Sequence, residues 1–397
     1  MTTLQAGPRP LLQADLSRLA AATRQLEATA VEYDRTGAFP AAGIQVVHEA
    51  GLLTVGVGEQ YGGQGIGLAD LARVLQALGE GDPSVALITS MTLLPHAMQA
   101  RRPSWPDDLY RRVLAESAER PVLLNNARVE PELGSPARGG LPATLARRTN
   151  DGWSISGAKR FVTGAAGLTY ILVWASTDEP EPRVGTFLVP GDAPGVTVVP
   201  TWHQLGMRAS GSHDVTFADV EIPADHIVAI GEGGAKAEQD NLAGGGIHLA
   251  LAALYVGVAR AGQRYFHRFA HERVPANLGR PVATTERFRS AAGEIEVQLA
   301  GAESLIYGLL ERVDRGEPVS PTEGLGAKVL AVRQAVEAVH VAVRLLGNPG
   351  LSQLNPLERH WRDIQAAGVH APQEDTSLLA IGTAALAATA PQQGRPA

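Results

Sequence analysis

The stretch from Leu205 to Pro223 places the strongest constraint on how this chain folds. Its first half is a polar loop with a glycine, an arginine and two serines, and its second half alternates apolar and polar residues. Val215 and Phe217 share one side, and the apolar side resumes after Asp219 only with a shift of one residue. Alternation with a period of two that ends at a proline predicts a half-buried antiparallel strand, and the shift predicts a β-bulge.

The polar loop before this strand contains three candidate ligand-binding residues, Arg208, Ser210 and Ser212. Small polar residues ahead of a rigid strand can present backbone N–H groups and hydroxyls to a ligand. The same spacing is also typical of an ordinary hairpin, so the residues alone leave both interpretations open.

Composition limits the class of protein further. A length of 397 residues exceeds one ordinary core and predicts two or three domains. The absence of cysteine excludes disulfides, thiolate metal sites and cysteine nucleophiles, and no histidine spacing indicates a metal site. No apolar run is long enough to span a bilayer, and no secretory signal is evident at the N-terminus. A net charge of −7 without a basic block disfavours nucleic-acid partners, and we expect a cytoplasmic protein.

The chain divides into three segments of different pattern. Residues 1–118 place apolar side chains such as Leu19 and Leu26 at helical spacing. Residues 119–233 contain many short apolar runs with turn signals, which predicts a small antiparallel barrel or sandwich. Residues 234–397 return to long helical periodicity with short loops, which predicts a helical bundle. We therefore expect an α+β protein of three domains with these boundaries.

This order of segments, together with its motifs, resembles the acyl-CoA dehydrogenase superfamily. The strand that ends at Pro223 is similar to that superfamily's V-x-F-x-D-V-x-V-P pattern, and Glu59 begins an E-x-Y-G-G-x-G run. The resemblance implies an N-terminal helical domain, a central antiparallel β-barrel or sandwich and a C-terminal four-helix bundle. It also implies a flavin cofactor, FAD in the first place with FMN as the alternative. The superfamily includes both dehydrogenases and monooxygenases that use reduced flavin.

The segment from Asn126 to Pro136 resembles the T-E-P-x-x-G-S-D loop that lies along the flavin in this superfamily. By this resemblance Val129, Gly134 and Ser135 are cofactor-binding residues, and small residues allow the backbone a close approach. Val129 replaces the usual threonine, and Pro136 replaces an aspartate, which departs from the usual acyl-CoA contacts. The alternative from the residues alone is a proline-rich surface loop.

A second segment, Lys159 to Gly164, resembles the G-x-K-x-W-I-T-N run whose aromatic residue and threonine touch the flavin. Phe161 stands at the aromatic position and Thr163 at the threonine position. A threonine hydroxyl near the ring is a donor that can tune the electron affinity of a flavin. The alternative is a plain strand with Phe161 and Thr163 facing inward.

A third segment implies self-association. The run from Arg344 through Gly347 and Gly350 resembles Q-x-x-G-G-x-G-Y, which in the superfamily contacts the adenosine half of a neighbouring subunit's flavin. Arg273 is the counterpart, through a stretched motif, of an arginine that binds the neighbouring pyrophosphate. The resemblance therefore implies a homo-oligomer, a tetramer or a dimer.

The position of the catalytic base separates the two branches of the superfamily. A dehydrogenase needs a carboxylate to take the α-proton of the acyl thioester. The usual base position falls on Ala371 and the alternative one falls near His248, and neither is a carboxylate. Glu374 would serve if three residues were inserted. A histidine in the place of His370 resembles the monooxygenase branch, and a neutral imidazole suits proton transfer near pH 7.

The sequence therefore favours a monooxygenase that uses reduced flavin and O₂ to hydroxylate a small organic substrate at carbon or nitrogen. Ser210, in a Ser-Gly-Ser run that resembles the hydroxylases' loop, joins His370 as a catalytic candidate. His96, Arg208 and Ser212 are candidates for substrate contacts, and a separate flavin reductase is an expected partner. The alternatives are an acyl-CoA or acyl-carrier dehydrogenase with Glu374 as base, and a catalytically inactive scaffold.

Overall fold

The computed structural model describes residues 9–133, 140–232 and 246–389. Within these ranges the N-terminal part is helical, with α1 (Gln13–Thr36), α2 (Ala41–Glu49), α3 (Leu68–Gly81), α4 (Pro83–Arg101) and α5 (Asp107–Glu119). Asp82 explains the sharp start of α4, because its side chain accepts hydrogen bonds from the backbone N–H groups of Ser84 and Val85. Pro83 occupies the first helical position, where a missing N–H costs nothing.

The central part is one eight-stranded sheet in the order β6-β7-β3-β2-β4-β5-β8, with β1 also beside β4. The strands are β1 (Leu124–Ala127), β2 (Leu145–Arg148), β3 (Gly152–Val162), β4 (Tyr170–Thr177), β5 (Arg183–Pro190), β6 (Val196–Val199), β7 (His213–Pro223) and β8 (Ile227–Glu232). β1 and β2 run parallel to β4, whereas the other pairings are antiparallel.

The α+β class and the three-part architecture are thus confirmed. Within the central part the sheet is mixed and open, rather than a closed antiparallel barrel. The parallel pairings arise because no hairpin connects β1 or β2 to β4: β1 follows α5, and β2 is followed by β3 before the chain reaches β4. The strand predicted to end at Pro223 is β7, and its bulge is confirmed, since the register against β3 shifts between Ile155 and Gly157 and Asp219 has a φ of 48°.

The C-terminal part contains α6 (Gly246–Glu272), α7 (Glu286–Asp314), α8 (Pro321–Leu346), α9 (Leu357–Ile364) and α10 (Glu374–Ala388). Ser320 and Glu323 form a reciprocal capping box that begins α8. The long helices α6, α7 and α8 pack on one another, and α3 lies along α6. One hydrophobic core runs through all three parts, and the predicted domain boundaries stay a prediction. Among the described residues, no helix combines the length and apolar character needed to cross a bilayer.

Charged side chains of α9 join the three parts. The Arg362 guanidinium lies 2.9 and 2.6 Å from the two carboxylate oxygens of Asp34 at the end of α1, and 3.1 Å from the Leu205 carbonyl oxygen. The buried Asp363 carboxylate accepts a hydrogen bond of 2.6 Å from the Met207 N–H. The polar loop that contains Arg208, Ser210 and Ser212 is therefore attached to both helical parts.

A buried ion pair fixes the chain before β2 onto the sheet. The Lys159 ammonium lies 2.6 Å from Glu130 Oε1 and 2.5 Å from the Trp174 carbonyl oxygen, and both charged side chains are buried. Glu130 also accepts hydrogen bonds from the backbone N–H groups of Ala143 and Thr144. Burial lowers the pKa of Lys159 to about 8 against the opposing effect of Glu130.

We predict that Lys159→Met lowers the free energy of unfolding by about 3–5 kcal/mol, because Glu130 is left as an uncompensated buried charge. The matched control is Arg147→Met, which breaks the exposed Arg147–Asp178 pair and is expected to cost about 0–1 kcal/mol. Urea denaturation of both variants measures the difference. Equal losses in the two variants would contradict a stabilising role for the buried pair.

Candidate functional site

Phe161 occupies a strained position at the end of β3. The pairing of β3 with β7 shifts register between Lys159 and Val162, and Phe161 has a φ of 56°, which a bulky side chain rarely adopts. Its ring is 49% exposed and meets the ring of Trp202 edge to face at 6.4 Å. Strained, exposed aromatic residues are concentrated at ligand sites, so the bulge marks this end of the sheet as a candidate site.

Three buried hydroxyl groups lie next to one another, and one of them belongs to Thr163, two residues after Phe161. Ser212 Oγ is 3.0 Å from Thr163 Oγ1 and 3.0 Å from Ser210 Oγ. Gly164 N–H donates to the Ser210 carbonyl at 2.8 Å, which holds the two loops together. Three O–H groups share two hydrogen bonds, so one of the three O–H groups is left to donate to a further acceptor. We call Thr163, Ser210 and Ser212 the hydroxyl trio.

The predicted flavin loop reaches the same place. The Val129 carbonyl accepts a hydrogen bond of 2.9 Å from the Arg160 N–H, next to Phe161. Asn125 Nδ2 donates to the Thr163 carbonyl at 2.8 Å. The structure thus brings together five predicted site residues: Val129, Phe161, Thr163, Ser210 and Ser212. The predicted residues Gly134 and Ser135 lie outside the described residues.

His370 belongs to a second cluster on the C-terminal part. Its Nδ1 contacts the hydroxyl of Tyr255, a fully buried residue of α6. The Lys328 ammonium of α8 donates hydrogen bonds to the carbonyl oxygens of His370 at 2.7 Å and Pro372 at 2.6 Å. We call His370, Tyr255 and Lys328 the His370 cluster.

Burial controls the charges of the His370 cluster. Burial, with the Lys328 charge second, lowers the pKa of His370 to about 4, so the imidazole is neutral near pH 7. Burial also lowers the pKa of Lys328 to about 8. The pKa of a second histidine, His248, is also lowered to about 4. Burial is the largest cause, and the charges of Lys328 and Arg128 follow. The Lys328 charge therefore acts on both neutral imidazoles, and the Arg128 charge acts on His248.

Glu374 has a different environment. It lies in the first turn of α10, and its Oε1 pairs with Arg333 Nη2 at 2.6 Å and with Nε at 3.2 Å. Both side chains of the pair are about half exposed. The Glu374 carboxylate is therefore engaged by a guanidinium at the surface. The role of Glu374 as catalytic base stays a prediction.

Two predicted substrate residues form other contacts. Arg208 Nε donates to the Asp34 carbonyl at 2.7 Å, at the end of α1. His96 is buried, and its Nδ1 lies 2.8 Å from the hydroxyl of Tyr110. Tyr110 belongs to a second, smaller hydrophobic cluster. Neither side chain is hydrogen-bonded to another predicted site residue in the described ranges. Their contacts with a substrate stay predictions.

The predicted adenosine-binding residues lie on the C-terminal helical part. Arg344 lines an open groove of about 310 Å³ between α7 and α8, together with Arg287. Gly347 caps α8 with a φ of 65°, and the adjacent Gly350 packs so close to the Val343 carbonyl that a Cβ would lie 2.8 Å from its oxygen. Arg273 is exposed just beyond α6. The ligand of this groove stays a prediction.

Tyr255 and Lys328 are functional candidates that the predictions from the sequence did not include. Tyr255 lies within a continuous apolar helical run, where an aromatic residue normally signals only core packing. Lys328 did carry a signal, because it interrupts the apolar face that continues with Val329 and Val332. A charged residue on such a face is rarely buried without a specific partner.

Comparison with known proteins identifies the family. The N-terminal, middle and C-terminal domains of acyl-CoA dehydrogenase match residues 16–100, 127–220 and 249–374. The chain is 32% identical to the putative acyl-CoA dehydrogenase YdbM of Bacillus subtilis, over 89% of this chain and 92% of that protein. The protein therefore belongs to the acyl-CoA dehydrogenase superfamily of flavin-dependent oxidoreductases.

Solved structures extend the comparison to other chemistry. KijD3, in complex with FMN and dTDP-3-amino-2,3,6-trideoxy-4-keto-3-methyl-D-glucose, is 26% identical with a TM-score of 0.82, over 97% of this chain and 96% of that one. A nitrososynthase from Micromonospora carbonacea var. africana is 25% identical with a TM-score of 0.80, over 95% and 98%. A putative acyl-CoA dehydrogenase and a nitrososynthase are both similar to this chain, so the fold alone does not define the reaction.

We predict that His370→Gln weakens the pH dependence of stability. The folded pKa of about 4 is below the ordinary 6.5, so only the unfolded chain takes up the proton between these values. This contribution to stability is complete above pH 6.5 and is lost as the pH falls towards 4. The fall in unfolding free energy over that window should be smaller by about 2–3 kcal/mol in the variant, by urea denaturation. Parallel curves for the two proteins would contradict the assignment.

Proposed function

We propose that this protein is a flavin-dependent monooxygenase that uses reduced flavin and O₂ to hydroxylate a small organic substrate at carbon or nitrogen. The substrate meets the site between the hydroxyl trio and the His370 cluster. A separate reductase supplies the reduced flavin, and the protein acts in the cytoplasm. FAD is the first candidate for the cofactor, and FMN, which is present in the KijD3 structure, is the alternative.

The residues of the sheet fit a flavin. An exposed Phe161 ring in a strained conformation offers an aromatic surface, and the hydroxyl trio has one O–H to donate. The neighbouring Val129 carbonyl accepts a hydrogen bond from the Arg160 N–H, which ties the segment after β1 to β3. Thr163, Phe161 and Val129 would hold the ring. When bound, the flavin supplies the redox chemistry and the activation of O₂.

One observation supports a monooxygenase over a dehydrogenase: the carboxylate is engaged and the imidazole is available. Glu374 is bound by Arg333 on the surface of the bundle, whereas His370 is neutral and its Nε2 has no hydrogen-bond partner among the described residues. A dehydrogenase requires an ionised carboxylate aimed at the α-carbon. A neutral imidazole can instead form hydrogen bonds with a substrate near pH 7.

The second candidate is an acyl-CoA or acyl-carrier dehydrogenase that uses Glu374 as base. It is favoured by the name of YdbM, a putative acyl-CoA dehydrogenase that shares 32% identity with this chain. This reaction would require Glu374 to exchange its Arg333 contact for the substrate. The two candidates therefore make opposite predictions for His370 and Glu374.

Stopped-flow spectroscopy tests the proposal. The protein is loaded anaerobically with reduced FAD or FMN and mixed with O₂. We expect a spectral species, distinct from oxidised and reduced flavin, that outlives the oxidation of free flavin. His370→Gln should lower its productive decay with substrate by about 10²-fold or more, and Glu374→Gln should leave it unchanged.

Other outcomes overturn the proposal in distinct ways. Bleaching of the oxidised flavin by an acyl-CoA panel, abolished by Glu374→Gln, would establish the dehydrogenase. No affinity for flavin in either redox state would indicate an inactive scaffold. Both variants concern side chains outside the main core, so circular dichroism can verify that each folds.

We further propose that the protein is a homo-oligomer, a dimer or a tetramer. Leu379 and Leu386 of α10 lie seven residues apart on one helical face and are 73% and 74% exposed. Of the helix's residues only Ser377 is buried. An apolar face of this kind on a single chain is typical of a surface covered by another copy.

We predict that light scattering gives a multiple of the 41.6 kDa chain mass, and that Leu379→Glu with Leu386→Glu shifts the protein towards monomer. Leu354→Glu is the matched control, because Leu354 is 97% exposed in a loop and lies on no helix. A monomeric parent protein, or equal dissociation in the control, would contradict self-association through α10.

A further inference from the structure

The contact between Tyr255 and His370 determines which nitrogen of the imidazole carries its proton. Tyr255 is 1% exposed, and in the described part of the chain its hydroxyl has one hydrogen-bond partner, His370 Nδ1. If Nδ1 donated to the phenol oxygen, the phenol's own O–H would be buried without an acceptor. Such an unsatisfied donor costs about 1–3 kcal/mol. The Tyr255 O–H therefore donates, and His370 Nδ1 accepts.

This arrangement fixes the tautomer of His370. A neutral imidazole has one N–H donor and one acceptor nitrogen. Because Nδ1 is the acceptor, Nε2 carries the hydrogen. The Lys328 ammonium beside the residue opposes a second proton on the ring, and burial raises the pKa of Tyr255, so the phenol keeps its hydrogen. The ring thus presents an N–H group, and not a lone pair, at Nε2.

Lys328 fixes the main chain that carries the ring. Its ammonium binds the carbonyl oxygens of His370 and Pro372, one on each side of Ala371. Lys328 is buried on α8, so the segment from His370 to Pro372 is attached to the rigid bundle. Movement of the imidazole away from Tyr255 would break contacts at both the side chain and the backbone.

We propose that Tyr255 and Lys328 are positioning residues that present His370 to the substrate as an Nε2–H hydrogen-bond donor. This inference rests on the proposed function, since it takes the His370 cluster as part of the substrate site. It narrows the substrate class to molecules that meet His370 with an acceptor atom, such as a carbonyl oxygen, an oxyanion or an amine lone pair. His370 is then a donor to the substrate and not the base that removes its proton.

Long-range ¹H–¹⁵N correlation spectra of the full chain, labelled with ¹⁵N at histidine, test the tautomer directly. We expect the His370 signals, assigned by their loss in His370→Gln, to show hydrogen on Nε2 and an acceptor Nδ1. Tyr255→Phe should produce a mixture of tautomers at His370. Tyr110→Phe is the matched control, because it removes the same phenol contact from Nδ1 of the buried His96. That control should change His96 and leave His370 unaltered.

Lys328→Met tests the second half of the proposal. Loss of two hydrogen bonds to main-chain carbonyls should speed amide hydrogen exchange in residues 369–373 on the order of tenfold, while the Nε2–H tautomer persists. Hydrogen on Nδ1 in the parent protein would overturn the donor role of His370. Unchanged exchange in Lys328→Met would overturn the role of Lys328.

The tautomer of His370 and the proposed function are tested by separate measurements. The spectra are recorded without flavin or substrate, so they report the tautomer whatever the reaction. A flavin titration of the same sample tests the function separately. An Nε2–H tautomer in a protein that binds no flavin would retain the geometry and reject the substrate assignment.

Discussion

The structure depends on the adjacent charges Arg362 and Asp363 of α9. Arg362 reaches Asp34 of the N-terminal helices, and Asp363 receives the Met207 N–H of the central part. Burial raises the pKa of Asp363 to about 7. The Arg359 charge and the hydrogen bond from the Met207 N–H oppose this shift and stabilise the carboxylate. Two neighbouring residues thereby attach the polar loop to helices that are distant in sequence. These contacts hold the start of the loop that carries two members of the hydroxyl trio, since Ser210 and Ser212 lie three and five residues after Met207.

The candidate site combines two kinds of rigidity. On the sheet, a strained Phe161 and the hydroxyl trio are held by backbone hydrogen bonds between loops. On the bundle, His370 is held from two helices at once, through Tyr255 and Lys328. Sites on such fixed elements are more precise than sites on free loops.

Residue patterns were sufficient to predict much of this arrangement. The bulge at Asp219, the α+β class and the proximity of Val129, Phe161 and Thr163 followed from period-two alternation and from motif resemblance. The parallel placement of β1 and β2 did not follow, because strand direction depends on long connections that local patterns do not encode. Tyr255 and Lys328 were also missed. Helical periodicity predicts which face of a helix is buried, but it does not predict which residue of another helix a side chain contacts. The pairing of Glu374 with Arg333 joins two helices and has no local signal either.

The separate anchoring of β1 and β2 has a consequence for the register of the sheet. β1 pairs with β4 from Tyr170 to Val173, and β2 pairs with the same edge only at Ser176 and Thr177. Between them, the Trp174 carbonyl accepts a hydrogen bond from the Lys159 ammonium. The Lys159 ammonium thus binds β4 at a position between its pairing with β1 and its pairing with β2. A slip of β1 by one residue would therefore not be transmitted to β2, and the bulged strand behind β2 would keep its alignment.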